Sequence, residues 1–171
     1  MTIWTIGHST RLLYDFVAVL DAHAIEVVVD VRRFPGSRRL PQYNSAALAR
    51  NLSNRRIDYI WIPALGGRRR PSERTASSGW RHPAFRAYAE YSNTEQFAEG
   101  IFELMMIAEG LRTAIMCAEV LWWRCHRRII ADVLTSLGTP VEHLRDEGPG
   151  EVHRLAPPAR LVGGILTYAP K

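Results

Sequence analysis

The amino-acid sequence predicts an α/β protein: an open sandwich whose mostly parallel sheet of about five strands is covered by helices on both faces. Three observations lead there. Five short β-rich runs alternate with stretches of helical spacing, the pattern of successive βαβ units. The run Val27-Val28-Val29 is apolar at every position, as a central strand buried on both sides must be. With 171 residues, 47% of them hydrophobic, the chain can fill one core without disulfide or metal staples.

The elements follow in chain order. Ile3–Ile6 is the first strand, and Leu13, Phe16, Val17 and Leu20 make the apolar stripe of the first helix. In the turn between them, Ser9 or Thr10 is a candidate N-cap. Glu26–Val31 is the second strand. A short helix capped by Asn44 or Ser45 carries Leu48 and Leu52, and Asp58–Ile62 is the third strand. Pro63–Pro83 then breaks the rhythm with about twenty residues rich in Gly, Arg, Ser and Pro, longer than an ordinary connection. Phe97, Ile101, Leu104, Met105 and Ala108 form the next helical stripe, followed by the strand Thr113–Cys117. Ile130, Val133, Leu134 and Leu137 lie on the last long helix, which Gly138 closes as its C′ residue. Val141–Leu144 is the fifth strand. Residues 1–145 thus read as one α/β domain. Residues 146–171, with Pro149, Pro157, Pro158 and a Gly163-Gly164 hairpin signal, read as an extension packed on it or trailing from it.

Composition excludes several classes. No apolar run approaches the ~20 residues of a membrane span, and Met1-Thr2-Ile3-Trp4 opens no signal peptide. Two cysteines do not make a disulfide scaffold. The expectation is a cytoplasmic protein with no membrane partner. The net charge is +5, and 21 of the 22 basic residues are Arg, whose planar fork grips phosphate or carboxylate. The distribution says more than the total. Residues 32–86 hold thirteen Arg against Asp58 and Glu73, a local balance of +11 that leaves −6 for the rest of the chain. Phe34, Tyr43, Trp80, Phe85, Tyr88 and Tyr91 are interleaved with those arginines, the mixture that binds phosphates and stacks bases.

Ligands of open α/β sheets bind beyond the carboxyl ends of the strands, and polar residues crowd that edge. Strand one runs into Gly7-His8-Ser9-Thr10, where His8 is a candidate acid/base and the backbone near Ser9 a candidate anion cradle. Strand two ends in Asp30-Val31-Arg32, whose period of two puts Asp30 and Arg32 on one face. Strand three leads to Gly66-Gly67 and Arg68, and strand four to Cys117-Ala118-Glu119. The segment from Cys117 to Arg128 adds Arg124, Cys125, His126 and Arg127. It admits four readings. Cys125 is a nucleophile activated by a helix start and nearby Arg. The two cysteines are a redox pair. Both are small buried hydrophobes. Or a metal sits at Cys117, Cys125 and His126, a reading disfavoured because no Cys-x-x-Cys knuckle is present. No Walker loop, Gly-x-Gly-x-x-Gly or His-Glu-x-x-His occurs. A phosphatase-type loop is absent as well: Arg124 is seven positions after Cys117, and the sixth residue beyond Cys125 is Ala131.

Taken together, Thr5-Ile6-Gly7-His8-Ser9, Val29-Asp30-Val31-Arg32, Phe34-Pro35-Gly36-Ser37-Arg38, Leu65-Gly66-Gly67, Gly79-Trp80-Arg81 with Phe85-Arg86, Cys117-Ala118-Glu119, Cys125-His126-Arg127 and Pro158-Ala159-Arg160 with Gly163-Gly164 and Tyr168 resemble the domain of unknown function 488 family. His82 stands where the family pattern carries Asn. The resemblance implies a Rossmann-like three-layer sandwich. It marks His8, Asp30, Arg32, Glu119, Cys125, His126 and Arg127 as pattern positions, and it supplies no reaction.

The functional expectation is a hydrolase or group transferase acting on a nucleotide or another phosphorylated small molecule, with no cofactor evident. Ser9, Arg32, Arg38, Gly66, Gly67, Arg68, Trp80, Arg81, Arg124 and Arg127 are the candidate anion-binding residues. His8, Asp30, Glu119, Cys125 and His126 are the candidate catalytic residues. The alternatives are a non-catalytic nucleic-acid binding module and a metal- or thiol-linked regulator.

Overall fold

The computed structural model describes residues 1–70 and 79–169. Its elements, in chain order, are β1 (Ile3–Gly7), α1 (Leu13–Ala22), β2 (Val27–Asp30), α2 (Ser45–Ser53), β3 (Asp58–Trp61), α3 (Pro83–Tyr91), α4 (Glu95–Gly110), β4 (Thr113–Cys117), α5 (Arg127–Ser136), β5 (Val141–Leu144), β6 (Glu151–Val152), β7 (Arg160–Val162) and β8 (Ile165–Thr167). Among the described residues the main sheet has six strands in the order β3-β2-β4-β1-β5-β6. The first five are parallel, and β6 is antiparallel to β5. The Rossmann-like sandwich is therefore present, with one short antiparallel strand beyond the five expected.

Period-2 alternation divides the core into two halves. Ile3, Val27, Val29, Ile115 and Val141 pack toward α4 and α5, while Trp4, Ile6, Val28, Ala114 and Met116 pack toward α1 and α2. The same alternation sets the strand ends. Cys117 follows Ile115 to the α4–α5 face, whereas Asp30 follows Val28 to the face of Tyr43 and Tyr59.

Local starts and stops have identifiable causes. Helix α3 begins at Pro83, whose missing N–H is no loss at a first turn, and His82 caps it by accepting from the Ala84 N–H. Thr94 caps α4 through the Phe97 N–H. Ser9 and Thr10 do not cap α1, which starts at Leu13 after an uncapped Leu12. Asn44 precedes α2, but its Oδ1 accepts from the Ser37 N–H and so holds the preceding loop instead.

The segment after residue 145 covers the edge of the sheet. β6 extends β5, and the β7–β8 hairpin turns on Gly163 and Gly164, both at positive φ as a two-residue hairpin turn demands. Tyr168 O accepts from the Gly79 N–H, and its ring packs 5.6 Å from that of Trp80. Residues 71–78, including Glu73 and most of the second half of the expected 63–83 loop, lie outside the described residues. No helix among the described residues is long and apolar enough to cross a membrane.

Candidate functional site

A cavity of about 730 Å³ opens beyond the carboxyl ends of β2 and β4. Its floor is Cys117, Cys125 and His126. Arg32, Arg33, Arg68 and Arg124 stand around it with Glu119 as the one carboxylate of the lining among the described residues, and Phe34, Phe85, Tyr88 and Trp123 supply apolar wall. Phe34 is 64% exposed and holds the Arg33 guanidinium 5.7 Å from its ring centroid.

The floor is built from two chain segments. Cys117 ends β4, and Cys125 lies in the turn that opens α5, just before His126. His126 Nε2 is 2.8 Å from the Val31 carbonyl oxygen. A carbonyl can only accept, so Nε2 carries the proton and Nδ1 presents a lone pair. That lone pair faces sulfur: Nδ1 is 3.5 Å from Cys125 Sγ and 3.9 Å from Cys117 Sγ. Mutual hydrogen bonding and burial push the Cys117 thiol up. Burial also acts upward on Cys125, but the hydrogen bond from Cys117 and the Arg127 charge, joined by the His126 ring in its charged form, outweigh it and draw this thiol well below its usual value. Gly67 closes over the imidazole. A Cβ there would sit 2.8 Å from Nδ1 and 3.1 Å from both Cγ and Cε1, so the position cannot carry a side chain without moving the ring.

Arg127 lies beneath this floor, 1% exposed. It donates to Thr5 Oγ1 and to the carbonyls of Glu119 and Val120, pinning the loop after β4 from below. From the other side the same loop rests on Gly7, where a Cβ would fall 2.0 Å from Glu119 O and 2.6 Å from Val120 Cα. The Glu119 side chain accepts from the Leu121 N–H at 3.0 Å at the exposed mouth.

The Asp30–Arg32 pair is a saturated unit. Asp30 is fully buried and accepts from Arg32 N, Nε and Nη2 and from the Tyr59 hydroxyl, the last two at 2.6 Å. Arg32 also donates to Tyr43 O, and its Nη1 lies 3.2 Å from His8 Nε2. His8 is stacked on Tyr43 at 4.1 Å and is 3% exposed. Its Nδ1 donates to Ser9 O, which leaves Nε2 to accept from Arg32. Burial lowers its pKa to about 4, the Arg32 charge reinforcing the effect. Both imidazole nitrogens are therefore committed.

Of the residues singled out from sequence, Arg32, Gly67, Arg68, Glu119, Arg124, Cys125 and His126 come together around the cavity. Asp30 and His8 stand behind Arg32, and Arg127 lies under the floor. Gly66 packs against Arg33, where a Cβ would meet Cα at 2.8 Å. Ser9, at φ 45°, donates its N–H to Ala118 O. Trp80 is a core residue, 8% exposed and stacked on Phe85 at 4.7 Å. Arg38 and Arg81 are exposed and outside the lining.

Sequence reasoning named Tyr43 and Tyr88 only as aromatics for stacking a base, whereas both are buried as supports, and it missed Tyr59 and the Val31 carbonyl. Tyr43, Tyr59 and the Val31 carbonyl orient Arg32, Asp30 and His126, and Tyr88 sits 5.0 Å from the His126 ring. The alternation in β3 was the one available signal for Tyr59, which is paired in register with Val28. A second buried network was also missed. Thr5 Oγ1, His143, His153, Asp132 and the Tyr168 hydroxyl follow one another at 2.8, 2.9, 2.9 and 3.1 Å.

A family model described as Domain of unknown function DUF488 matches residues 13–134. The match begins after β1 and ends within α5, so it contains Asp30, Arg32 and the whole cavity floor but neither His8 nor the C-terminal segment. No curated protein and no solved structure matches the chain. With well over half of its length under that model, the chain belongs to the family of domain of unknown function DUF488.

Proposed function

We propose that the cavity is the active site of a hydrolase or group transferase that takes a small phosphorylated substrate, such as a nucleotide or sugar phosphate. One observation carries the reading: among the described residues, four arginines face one glutamate around a floor of two thiols and an imidazole. Such a wall attracts an anion, and guanidinium forks suit phosphate oxygens. Arg33, Arg68 and Arg124 are exposed and reach for the ligand, whereas Arg32 is already neutralised by Asp30. Phe34 and Trp123 offer apolar surface for a base or sugar ring. The size supports a small ligand, since pockets for such molecules run about 300–1,000 Å³.

The roles divide accordingly. The Cys117–Cys125–His126 floor is the reacting centre and Glu119 at the mouth is the base. Asp30 and His8 position Arg32 and do not touch substrate.

Thermal-shift measurements with inorganic phosphate, nucleoside mono- and triphosphates, sugar phosphates and a single-stranded oligonucleotide test the reading. A bound ligand at a hundred times its Kd adds about 2.7 kcal/mol of stability, a readily measured rise in Tm. At least one small phosphorylated compound is expected to give that rise in the wild type and not in the Arg68→Gln/Arg124→Gln double variant. Absence of any such ligand, or a shift that survives the double variant, overturns the proposal. Binding confined to the oligonucleotide and falling steeply with salt would put a nucleic-acid binding module in its place.

A further inference from the structure

The cavity floor has a metric property that its hydrogen bonds do not require. Cys117 Sγ, Cys125 Sγ and His126 Nδ1 all lie within 4.8 Å of one another, the one group of three such donors among the described residues. A tetrahedral cation held by two sulfurs at about 2.3 Å and one nitrogen at about 2.0–2.1 Å separates S from N by about 3.5 Å and S from S by about 3.8 Å. The observed S···N separations are 3.5 and 3.9 Å. The donors therefore already stand close to the separations of a ligand set.

The imidazole is also aimed. Its Nε2–H is held by the Val31 carbonyl, the outer bond that metal-binding histidines ordinarily make and that fixes which nitrogen is free. The Gly67 contact leaves the lone pair clear. Equal distances of 3.1 Å to Cγ and Cε1, with 2.8 Å to Nδ1, put that contact over the ring face and not along the lone-pair direction. Beneath the floor, Arg127 is buried and bonded to hydroxyl and carbonyl oxygens, with no ion pair to a carboxylate among the described residues.

We propose that Cys117, Cys125 and His126 Nδ1 form a three-ligand site for a thiophilic divalent cation, zinc first, with its fourth position open to the Arg-lined cavity. Two sulfurs and one imidazole select zinc and its neighbours, while magnesium and calcium need oxygen donors that this trio lacks. Binding releases a proton from each thiol that carries one. Three protein ligands with a free position are the pattern of a catalytic site rather than of a closed structural one, and the open position would polarise a substrate oxygen seated against Arg68 and Arg124. The missing Cys-x-x-Cys knuckle is no obstacle, because β4 and the start of α5 bring the cysteines together from eight residues apart. The inference deepens the proposed function by naming what its reacting centre holds, and it rests on that reading only for the use made of the open position.

The test uses untagged, reduced, chelator-stripped protein. Cobalt(II) is expected to bind with one equivalent per chain and to give sulfur-to-metal charge transfer with the visible bands of tetrahedral coordination. Zinc should displace it and raise Tm. Cys117→Ser and Cys125→Ser are each expected to lose the spectrum. Gly67→Ala, which pushes the ring from its face, should weaken affinity by about 10–100-fold, as loss of an orienting contact does, with far-UV circular dichroism unchanged. Should the serine variants not fold, the wild type still decides: zinc must slow reaction of both thiols with a chromogenic disulfide. No cobalt charge transfer, no zinc-induced rise in Tm, a spectrum indifferent to both serine variants, or thiols equally reactive with and without zinc would each overturn the assignment. A cobalt spectrum without any phosphate ligand sinks only the proposed substrate class, and the reverse result sinks only the metal.

Discussion

Replacing Asp30 by Asn separates a positioning carboxylate from a working one. The side chain is fully buried and accepts from three Arg32 nitrogens and from the Tyr59 hydroxyl. Asn conserves the volume, so no cavity cost arises. What is lost is the negative charge opposite a guanidinium that is 7% exposed, and the new NH₂ faces groups that themselves donate. Breaking a buried ion pair at one end costs about 3–5 kcal/mol. Asn Oδ1 can keep the Arg32 N–H and one guanidinium contact, so the lower end, about 3 kcal/mol, is expected. With a urea m-value near 2 kcal/mol/M, the unfolding midpoint falls by about 1.5 M. The double variant Asp30→Asn/Arg32→Met removes the stranded charge and should recover at least about 1 kcal/mol relative to the sum of the singles, as coupled neighbours do. Urea titrations followed by far-UV circular dichroism measure all four species. An Asp30→Asn midpoint within about 0.3 M of wild type, with ligand response lost, would refute the reasoning and make Asp30 a residue that touches substrate.

Other outcomes follow from the same geometry. His143 is held neutral, its pKa lowered to about 2 by burial, with His153, Arg127 and Arg145 adding to the effect. The unfolded chain therefore binds the extra proton below about pH 6.5, and stability falls with acidification between about 6.5 and 2, by up to about 1.4 kcal/mol per pH unit. Denaturant midpoints at pH 6.5 and 5 should show the decline, and a His143→Gln variant should show a flatter one; an equal slope counts against this account. Gly7→Ala drives a methyl into the backbone at Glu119 and Val120 and is expected to cost about 3 kcal/mol or more, read as a drop in Tm. Tyr168→Phe removes the hydroxyl bonded to Asp132 at 3.1 Å, a loss of about 1.5–3 kcal/mol for a bond to a charged group. Glu119→Gln is expected to leave folding and phosphate-ligand response intact while stopping turnover; loss of binding instead would make it a residue that shapes the mouth.

The fold was legible where burial decides. The all-apolar Val27-Val28-Val29 and the 3.6-residue stripes of α1, α4 and α5 survive because each such face must find the sheet. Short elements held by backbone pairing left less trace. β6 has two residues, both exposed, and its pairing with β5 carries no side-chain signature. The carboxyl edge was legible as a place, since a parallel sheet delivers every strand end to one side. The assignment of its residues was not. Asp30 and Cys117 end neighbouring strands, yet parity sends one toward α1–α2 and the other toward α4–α5, and that parity depends on register. The nearness of Cys117 to His126 depends on how the intervening loop lies on Gly7, which no local pattern encodes. The His143–His153–Asp132–Tyr168 chain draws on β5, the residue after β6, α5 and the residue after β8, so it exists only once the C-terminal segment is in place.

The loop after β4 is clamped from two sides, by the missing side chain at Gly7 and by the Arg127 guanidinium. The wall of the cavity that carries Glu119 is therefore a fixed jamb. The opposite wall carries Gly67, Arg68, His82 and Phe85. On the His82–Phe85 side, the chain is fastened to the C-terminal segment through Gly79 and Trp80 against Tyr168. The shape of the doorway therefore draws on two distant stretches of the sequence, Gly7 and Arg127 for one jamb and the segment around Tyr168 for the other.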